Sequence, residues 1–254
     1  MKIASWNVNS IRVRLEQVLY WLDSAEPDIL GLQELKMQTK DFPVEAFEEV
    51  GYHCAIDGQK TYNGVALLSR EEPAAVHRSI PEFADEQKRA IAGTYGDCRV
   101  INLYVPNGQS VGSDKYEYKL NWFTALTRWL EQELQQHEKL VVMGDFNVAP
   151  DDRDVHDPDE WRDRIICSGP ERAALNTLFD LGLSDSFRLF DQPEEMFSWW
   201  DYRAAGFRRN RGLRIDLLLV SDALSKTTTT SQIDTVPRTL ERPSDHAPVW
   251  LEFS

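Results

Sequence analysis

The chain has 254 residues, with 28 basic and 42 acidic side chains and a net charge of −14 when the histidines are neutral. That length suits one large α/β domain or two small ones, and a content of 42% hydrophobic, 11% aromatic and 28% charged residues excludes a disordered or membrane-embedded chain. The surplus of acid argues against indiscriminate binding to nucleic acid, because such affinity comes mainly from neutralised phosphates.

From the N-terminus, Lys2–Val8 reads as a strand. Ile11–Leu22 reads as a helix, since Ile11, Leu15, Val18, Leu19 and Leu22 fall on one face. Strand-like runs follow at Ile29–Leu35, Val65–Ser69, Ile91–Tyr95, Val100–Val105 and Leu140–Gly144. Between the last two lies a helical pattern, Tyr116–Gln136, with Leu120, Phe123, Leu126, Leu130 and Leu134 on a shared face. A second, Glu171–Leu181, follows Pro170, a residue suited to a first helical turn. Leu213–Val220 and Val249–Phe253 are strand-like again. No Ser/Gly/Pro linker divides the chain and no repeat recurs at the level of identity. Residues 1–254 therefore read as one α/β domain, with mixed sheet order because several strand pairs lack an intervening helix. No apolar stretch approaches the roughly 18 residues of a membrane helix. No basic segment precedes an apolar run as in a secretory signal, so a cytoplasmic location is expected. Cys54, Cys98 and Cys167 lie far apart and outside any CxxC spacing, so they predict small core residues, not disulfides or a thiolate metal site.

Four of the strand-like runs, ASWNVN, ILGLQE, VINLYVPN and VVMGDFN, deliver a carboxylate, amide or phenol at their ends. Residues two apart share a side in extended chain, so Asn7 and Asn9 converge, as do Asp145 and Asn147. Any one of these segments reads simply as a turn start; four together point to a shared site. Glu34 and Asp145, with amide oxygens from Asn7 and Asn147, are hard oxygen ligands of the kind Mg²⁺ or Mn²⁺ prefers. His53, His77, His137 and His156 stand in no HxH, HxxxH or HExxH spacing, which disfavours zinc. In LRIDLLLVS, Asp216 lies among leucines, where an ionised carboxylate costs several kcal/mol unless paired. Its partner is either the nearby Arg214 or His246 of PSDHAPVW, which sits on a loop entering the last strand. Neither GxSxG nor a phosphate-cradling glycine loop occurs, leaving water activated by Asp145 or by a metal as the nucleophile.

Charge is distributed unevenly. The segment RAAGFRRNRGLR, Arg203 to Arg214, carries five arginines and no acid, leaving 23 − 42 = −19 on everything else. Gly144–Asp163, GDFNVAPDDRDVHDPDEWRD, is crowded with aspartates. With FSWWDYR before it, the basic block offers guanidiniums for phosphates and rings for stacking, Arg209 among the DNA-contact candidates. The plainer reading makes Phe197 and Trp199 alternate core residues of one strand, and Trp200, Arg208 and Arg209 a solvated loop.

Together, Asn7 in SWNVNSIR, Glu34 in GLQELK, the QKTYNGVALLSR segment, Tyr104 in NLYVPNG, Asp145 and Asn147 in GDFNVAP, FSWWDYR, Asp216 in GLRIDLLLVS and Asp245–His246 in SDHAPVW resemble the exonuclease III family of abasic-site DNA endonucleases. The resemblance runs from Met1 to the C-terminus in the family's order, within the wider endonuclease/exonuclease/phosphatase superfamily. It implies a four-layer α/β sandwich, two mixed β-sheets packed face to face with helices outside, and a site at one end of the sheets. It implies that Glu34 holds a divalent metal with Asn7 and Asp245 nearby, and that Asp145, helped by Asn147, orients or deprotonates the attacking water. His246, buttressed by Asp216, would donate to a non-bridging phosphate oxygen, and Tyr104 would contact the phosphate or help the leaving group. Lys36, Arg89 and Asn107 match positions near the DNA backbone, and Trp199 one that lines the pocket for the extruded sugar. The expected substrate is double-stranded DNA with abasic sites or blocked 3′ ends. Cleavage is expected 5′ to the abasic site with Mg²⁺ as cofactor, Mn²⁺ as a substitute, no membrane and a monomeric enzyme. A relative acting on small phosphates or lipids would lack the tryptophan and arginine block, and a silent DNA-binding descendant would have lost part of the carboxylate set.

Overall fold

In the computed structural model, which describes all 254 residues, the long strands sort into two six-stranded sheets. The first half of the chain gives β1 (Lys2–Asn7), α1 (Ile11–Ala25), β2 (Ile29–Gln33), α2 (Val44–Glu48), β3 (His53–Asp57), β4 (Val65–Ser69), β5 (Ala74–Arg78), β6 (Ala90–Tyr95) and β7 (Cys98–Tyr104). There follow α3 (Asp114–Gln136), β8 (Lys139–Asp145), α4 (Pro158–Trp161), α5 (Gly169–Asp180), β9 (Ser184–Asp185), β10 (Trp199–Trp200) and β11 (Gly212–Leu213). The chain ends with β12 (Asp216–Val220), α6 (Asp222–Ser225), β13 (Thr228–Ile233) and β14 (Val249–Phe253).

One sheet has the order β13-β14-β1-β2-β4-β3 and the other β5-β6-β7-β8-β12-β9. Each is antiparallel except for one pair, β1/β2 and β7/β8, and these parallel pairs are the ones that α1 and α3 connect. A parallel pair needs such a crossover, whereas antiparallel neighbours do not. Mixed sheets follow because only α1 and α3 carry the chain across to a parallel neighbour, while the other helices lie in connections between strands that do not pair in parallel.

Alternation along the strands assigns the faces. Ile3, Ile29, Val65 and Leu67 of the first sheet meet Ile91, Val100, Val141, Met143 and Leu218 of the second in the central core. The opposite faces are covered separately. Ala4, Trp6, Leu30, Leu32 and Leu68 pack under Val18, Trp21, Leu22 and Phe47 of α1 and α2. Ile101, Leu103, Leu140, Val142 and Leu217 pack under Trp122, Phe123, Leu126, Leu130 and Leu175 of α3 and α5. Helix, sheet, sheet and helix make the four layers expected. Inside the central layer a polar clasp fixes how the sheets sit together: Gln33 Nε2 donates to Ser5 Oγ (2.9 Å) and across to Asn102 Oδ1 (2.6 Å), while Asn102 Nδ2 donates back to the carbonyls of Leu32 and Ala66 (2.9 Å each). These buried bonds favour one registry of the two sheets, although Gln33 Oε1 itself has no partner.

Leu213–Val220 is not one strand. β11 and β12 are separated by Arg214 and Ile215, because Arg214 N–H bonds to Asp154 and the amides of Ile215 and Asp216 go to Ser198 Oγ. At the end of β8, Gly144 has φ +144°, and a Cβ there would lie 1.9 Å from the carbonyl oxygen of Leu103. Gly144→Ala is expected to push β7 and β8 apart beside Asp145 at a cost of about 2–4 kcal/mol, lowering Tm by several degrees. An unchanged melting temperature would contradict this close approach.

Candidate active site

Both parallel pairs run toward the same end of the sandwich, so the carboxyl ends of β1, β2, β7 and β8 bring Asn7, Glu34, Tyr104 and Asp145 to one place. Crevices outside the carboxyl ends of parallel strands are common ligand sites. The backbone turns sharply there. Asn9 N–H bonds to Asn7 Oδ1 (3.0 Å), Asn147 N–H to Asp145 Oδ1 (2.9 Å) and Gln109 N–H to Asn107 Oδ1 (3.2 Å), three side-chain-to-backbone turns at three strand ends. The side chains converge through these turns, not through continued extended chain. Asn9, Glu34, Lys36 and Asn147 have φ between 44° and 54°, left-handed backbone that a non-glycine residue adopts at a cost of about 1–2 kcal/mol. Such strain persists where surrounding contacts hold it in place, often at working sites.

At the centre, ligand atoms of Glu34, Asp145 and His246 lie within 4.8 Å of one another. Asn7 Nδ2 bridges the two carboxylates at 2.9 Å each. Asp216 opens β12 directly opposite Asp145 and grips His246 Nδ1 with both oxygens, at 2.8 and 3.1 Å. His246 Nε2 faces Asp145 Oδ2 across 3.7 Å. Arg214, the alternative partner, is committed elsewhere: its guanidinium pairs with Asp154 and Asp185, both at 2.6 Å. Asp145 and His246 are almost wholly buried. Burial pushes the Asp145 carboxyl up to about 7, with Asp216 and Glu34 adding to the rise against the opposing pull of His246. For His246 burial works against the charge, but Asp216 and Asp145 overcome it and lift the imidazole to about 10. Tyr104 is held well above the usual phenol value by burial and by Glu34 and Asp145.

The amides do not present the oxygens anticipated from sequence. Asn7 Oδ1 is taken by the Asn9 amide and Asn147 Oδ1 by Asn107 Nδ2 (3.0 Å), so both residues turn nitrogen toward the carboxylates. Asp245 likewise has both oxygens occupied, accepting from Asn9 Nδ2 (2.8 Å) and Trp199 Nε1 (3.0 Å). It lies outside the central cluster, on a rim that continues through Asn9 to Lys36, whose ammonium also contacts Glu34 at 2.9 Å. Arg89 stacks over the Tyr104 ring at 4.7 Å and donates to its carbonyl (3.1 Å). Beside it opens a cleft of about 710 Å³, lined by Gln59, Asn63, Arg89, Tyr104, Asn107 and Lys115 among others, without a single carboxylate. The basic block is thinner than its composition promises: Arg203 pairs with Asp201, Arg211 with Glu160 and Arg214 with the buried Asp154 and the half-buried Asp185, leaving Arg208 and Arg209 without acidic partners. Arg209 is exposed and makes no hydrogen bond to the carboxylate cluster. Trp200 is a buried residue, not part of a solvated loop, while Trp199 is half-buried against the small cluster around Ile166 and Leu213.

This arrangement can be set beside known proteins. The sequence profile of the endonuclease/exonuclease/phosphatase family matches residues 4–246. The chain belongs to that family. Exodeoxyribonuclease III of Haemophilus influenzae is 41% identical over the whole of both chains. The 3′ phosphatase NExo from Neisseria, solved with a product DNA hairpin, superposes with a TM-score of 0.98 at 49% identity, over all of this chain and 99% of that one. An AP endonuclease from Archaeoglobus fulgidus superposes with a TM-score of 0.96 at 37% identity, over all of this chain and 99% of that one.

Within this member of the family, several supporting residues escape a reading of the sequence. Asn9 joins Asp245 to Lys36 although only its spacing from Asn7 draws notice. Ser244 Oγ donates to the Asn7 carbonyl (2.7 Å) and accepts from His246 N–H (3.2 Å), stitching β1 to the histidine loop. Lys119, fully buried on α3, pairs with Glu171 and donates to the carbonyls of Asn147 (2.7 Å) and Asn107 (3.2 Å). A lysine in an amphipathic helix carries no signal of that role; only the fold shows that it underpins two loops.

Proposed function

We propose that this chain is a divalent-metal-dependent DNA repair nuclease that hydrolyses the phosphodiester 5′ to abasic sites and also trims 3′ ends, as exonuclease and 3′-phosphodiesterase or phosphatase. The carrying observation is the buried opposition of Asp145 and His246 across 3.7 Å, with Asp216 fixed behind the imidazole. A carboxylate poised near neutrality and a histidine held protonated are the base and the electrostatic donor that phosphoryl transfer to water needs. Asp145 accepts a proton from the attacking water, while Asn147 and Asn7 hold its oxygens in place. His246 directs Nε2–H at the non-bridging oxygen where charge accumulates. Tyr104 and the carboxylate-free cleft flank the phosphate, and Trp199 lines the approach for a displaced sugar. An abasic nucleotide has no base to unstack, so its extrusion costs less than at an intact site.

Once Asp145 is ionised, four carboxylates, Glu34, Asp145 and Asp216 at the centre and Asp245 on the rim, face two cations, Lys36 and His246, leaving 4 − 2 = 2 uncompensated negative charges. That surplus and the hard oxygens of Glu34 and Asp145 fit Mg²⁺, or Mn²⁺ in its place. Such an ion, when bound, supplies charge neutralisation for the phosphate and the leaving oxygen. Residues 1–254 act as one domain in this reading, as a cytoplasmic monomer on double-stranded DNA. Strands from both ends of the chain, β1 and β14, share one sheet, in keeping with a single unit.

On a labelled duplex carrying one abasic analogue, incision at the lesion is expected with Mg²⁺ and not with chelator, while an undamaged blunt duplex is degraded only from its ends. Absence of cleavage on both would overturn the proposal. Independently of activity, Mg²⁺ should raise Tm at neutral pH by relieving the repulsion at Glu34 and Asp145. A melt indifferent to the ion would remove these residues as its ligands.

A further inference from the structure

We propose that Ser198 is a positioning residue for the Asp216–His246 pair, a role that rests on the nuclease reading above. In FSWWDYR the aromatic rings attract attention, but the serine is the joint of the site. Ser198 is fully buried, and its Oγ accepts hydrogen bonds from the amides of Ile215 and Asp216, both at 3.0 Å. Consecutive amides in a strand point to opposite sides. Their convergence on one oxygen therefore fixes a bend at the first residue of β12, and the Asp216 carboxylate leaves that bend toward His246. The Ser198 backbone reaches the other partner: its carbonyl accepts from Ala247 N–H (2.7 Å), and its own N–H donates to Leu213 (3.0 Å). Trp199 bridges His246, and Trp200 N–H bonds to Asp245 (3.0 Å). A single residue thus ties the chain bearing the carboxylate to the chain bearing the imidazole, from between them.

A purely structural serine would show the same burial and bonds, and Ser221 provides the matched case. It is buried near the opposite end of β8 and β12, accepts from Leu140 N–H (3.1 Å) and donates to the Glu138 carbonyl (2.7 Å). Losing either hydroxyl leaves buried backbone amides short of an acceptor. Only at Ser198 does that loss free Asp216 from its orientation, so only there should turnover respond.

The test compares wild type, Ser198→Ala, Ser198→Thr and Ser221→Ala by steady-state kinetics on the abasic duplex and by thermal melts. Ser198→Ala is expected to lose roughly 10-fold or more in kcat with little change in KM, as when support behind an active group is removed. Ser198→Thr, which keeps the acceptor, should return to within about threefold of wild type on the same grounds. Ser221→Ala should melt lower at unchanged kcat. The proposal is overturned if Ser198→Ala melts lower yet turns over like wild type, or if Ser198→Thr is no better than alanine. Should the alanine variant not fold, Ser198→Cys, similar in size but a weak acceptor, decides: reduced kcat supports the role and wild-type kcat overturns it. An inactive wild type would instead defeat the nuclease reading itself.

Discussion

Replacing Asp145 by asparagine is expected to give a protein that melts higher than wild type above pH 7 and has almost no activity. The carboxylate is buried among Glu34, Asp216 and the amide of Asn7, and its folded-state pKa of about 7 exceeds the ordinary 3.8. Between those values the folded chain binds a proton that the unfolded chain has released. The stability associated with that proton is fully present below pH 3.8 and is lost as pH rises through about 7. Above pH 7 the wild type carries the whole penalty of an ionised group in a poor place for it. Asparagine carries none, although it surrenders one accepting oxygen, such as Oδ2, which now accepts from the side-chain amides of Asn7 and Asn147. The two effects together leave a gain of about 1–2 kcal/mol, or roughly 3–6 °C in Tm at pH 8 without metal. At pH 4 the gain should vanish. Activity should fall about 10³-fold or more, since the proton acceptor is gone. A variant that is less stable than wild type at pH 8 and keeps a tenth of the activity would show that Asp145 is a structural acceptor.

Which parts of that fold sequence reveals follows a physical division. The eight inner strands, β14, β1, β2 and β4 in one sheet and β6, β7, β8 and β12 in the other, all coincide with apolar runs. All but β14 are buried on both faces, which demands mostly apolar residues, and β14 alternates buried Val249, Leu251 and Phe253 with half-exposed Trp250 and Glu252. The four edge strands β13, β3, β5 and β9 are absent from the pattern. In AAVHR of β5 no residue is buried, and TTTSQI of β13 buries only Ser231 and Ile233. An edge strand is defined by a neighbour on one side, which local composition does not encode.

The site divides in the same manner. Asn7, Glu34, Tyr104 and Asp145 are visible because a polar residue ending an apolar run is conspicuous. The partner of Asp216 is ambiguous in sequence, because Arg214 is two residues away and His246 thirty. The choice is made by Asp154 and Asp185, which claim Arg214 from other parts of the chain. The net charge of −14 likewise misleads in both directions. Three arginines of the basic block are paired with acids, two of them with acids from distant parts of the chain, while the cleft beside Tyr104 holds amides with Arg89 and Lys115 and no carboxylate.

Asp216→Asn is the second substitution with a large expected effect, and its signature is a moved pH profile. Burial alone would keep His246 neutral; Asp216, at 2.8 and 3.1 Å from Nδ1, is the foremost group that reverses this, followed by Asp145. In wild type without metal effects on Asp145, activity should rise through about pH 7 as Asp145 ionises and fall through about pH 10 as His246 loses its proton. Bound Mg²⁺ favours the ionised carboxylate and shifts the acid limb downward; it leaves the alkaline limb as the clean reporter. Asp216→Asn removes the main support for the imidazolium, so that limb should move acidward by at least about one pH unit, with kcat near pH 7 reduced about 10²-fold. His246→Ala should abolish the limb along with most of the turnover. Stability obeys the same linkage. With a folded pKa of about 10 against the ordinary 6.5, His246 contributes stability that is fully present below 6.5 and lost as pH rises through about 10. Wild type should therefore melt progressively lower from pH 7 to pH 10, and Asp216→Asn should flatten that slope. If Asp216→Asn lowers the rate and leaves the alkaline limb in place, Asp216 orients the ring without setting its charge, and the proton that fades near pH 10 belongs to a group other than His246, and other than Tyr104, whose phenol is held well above that range.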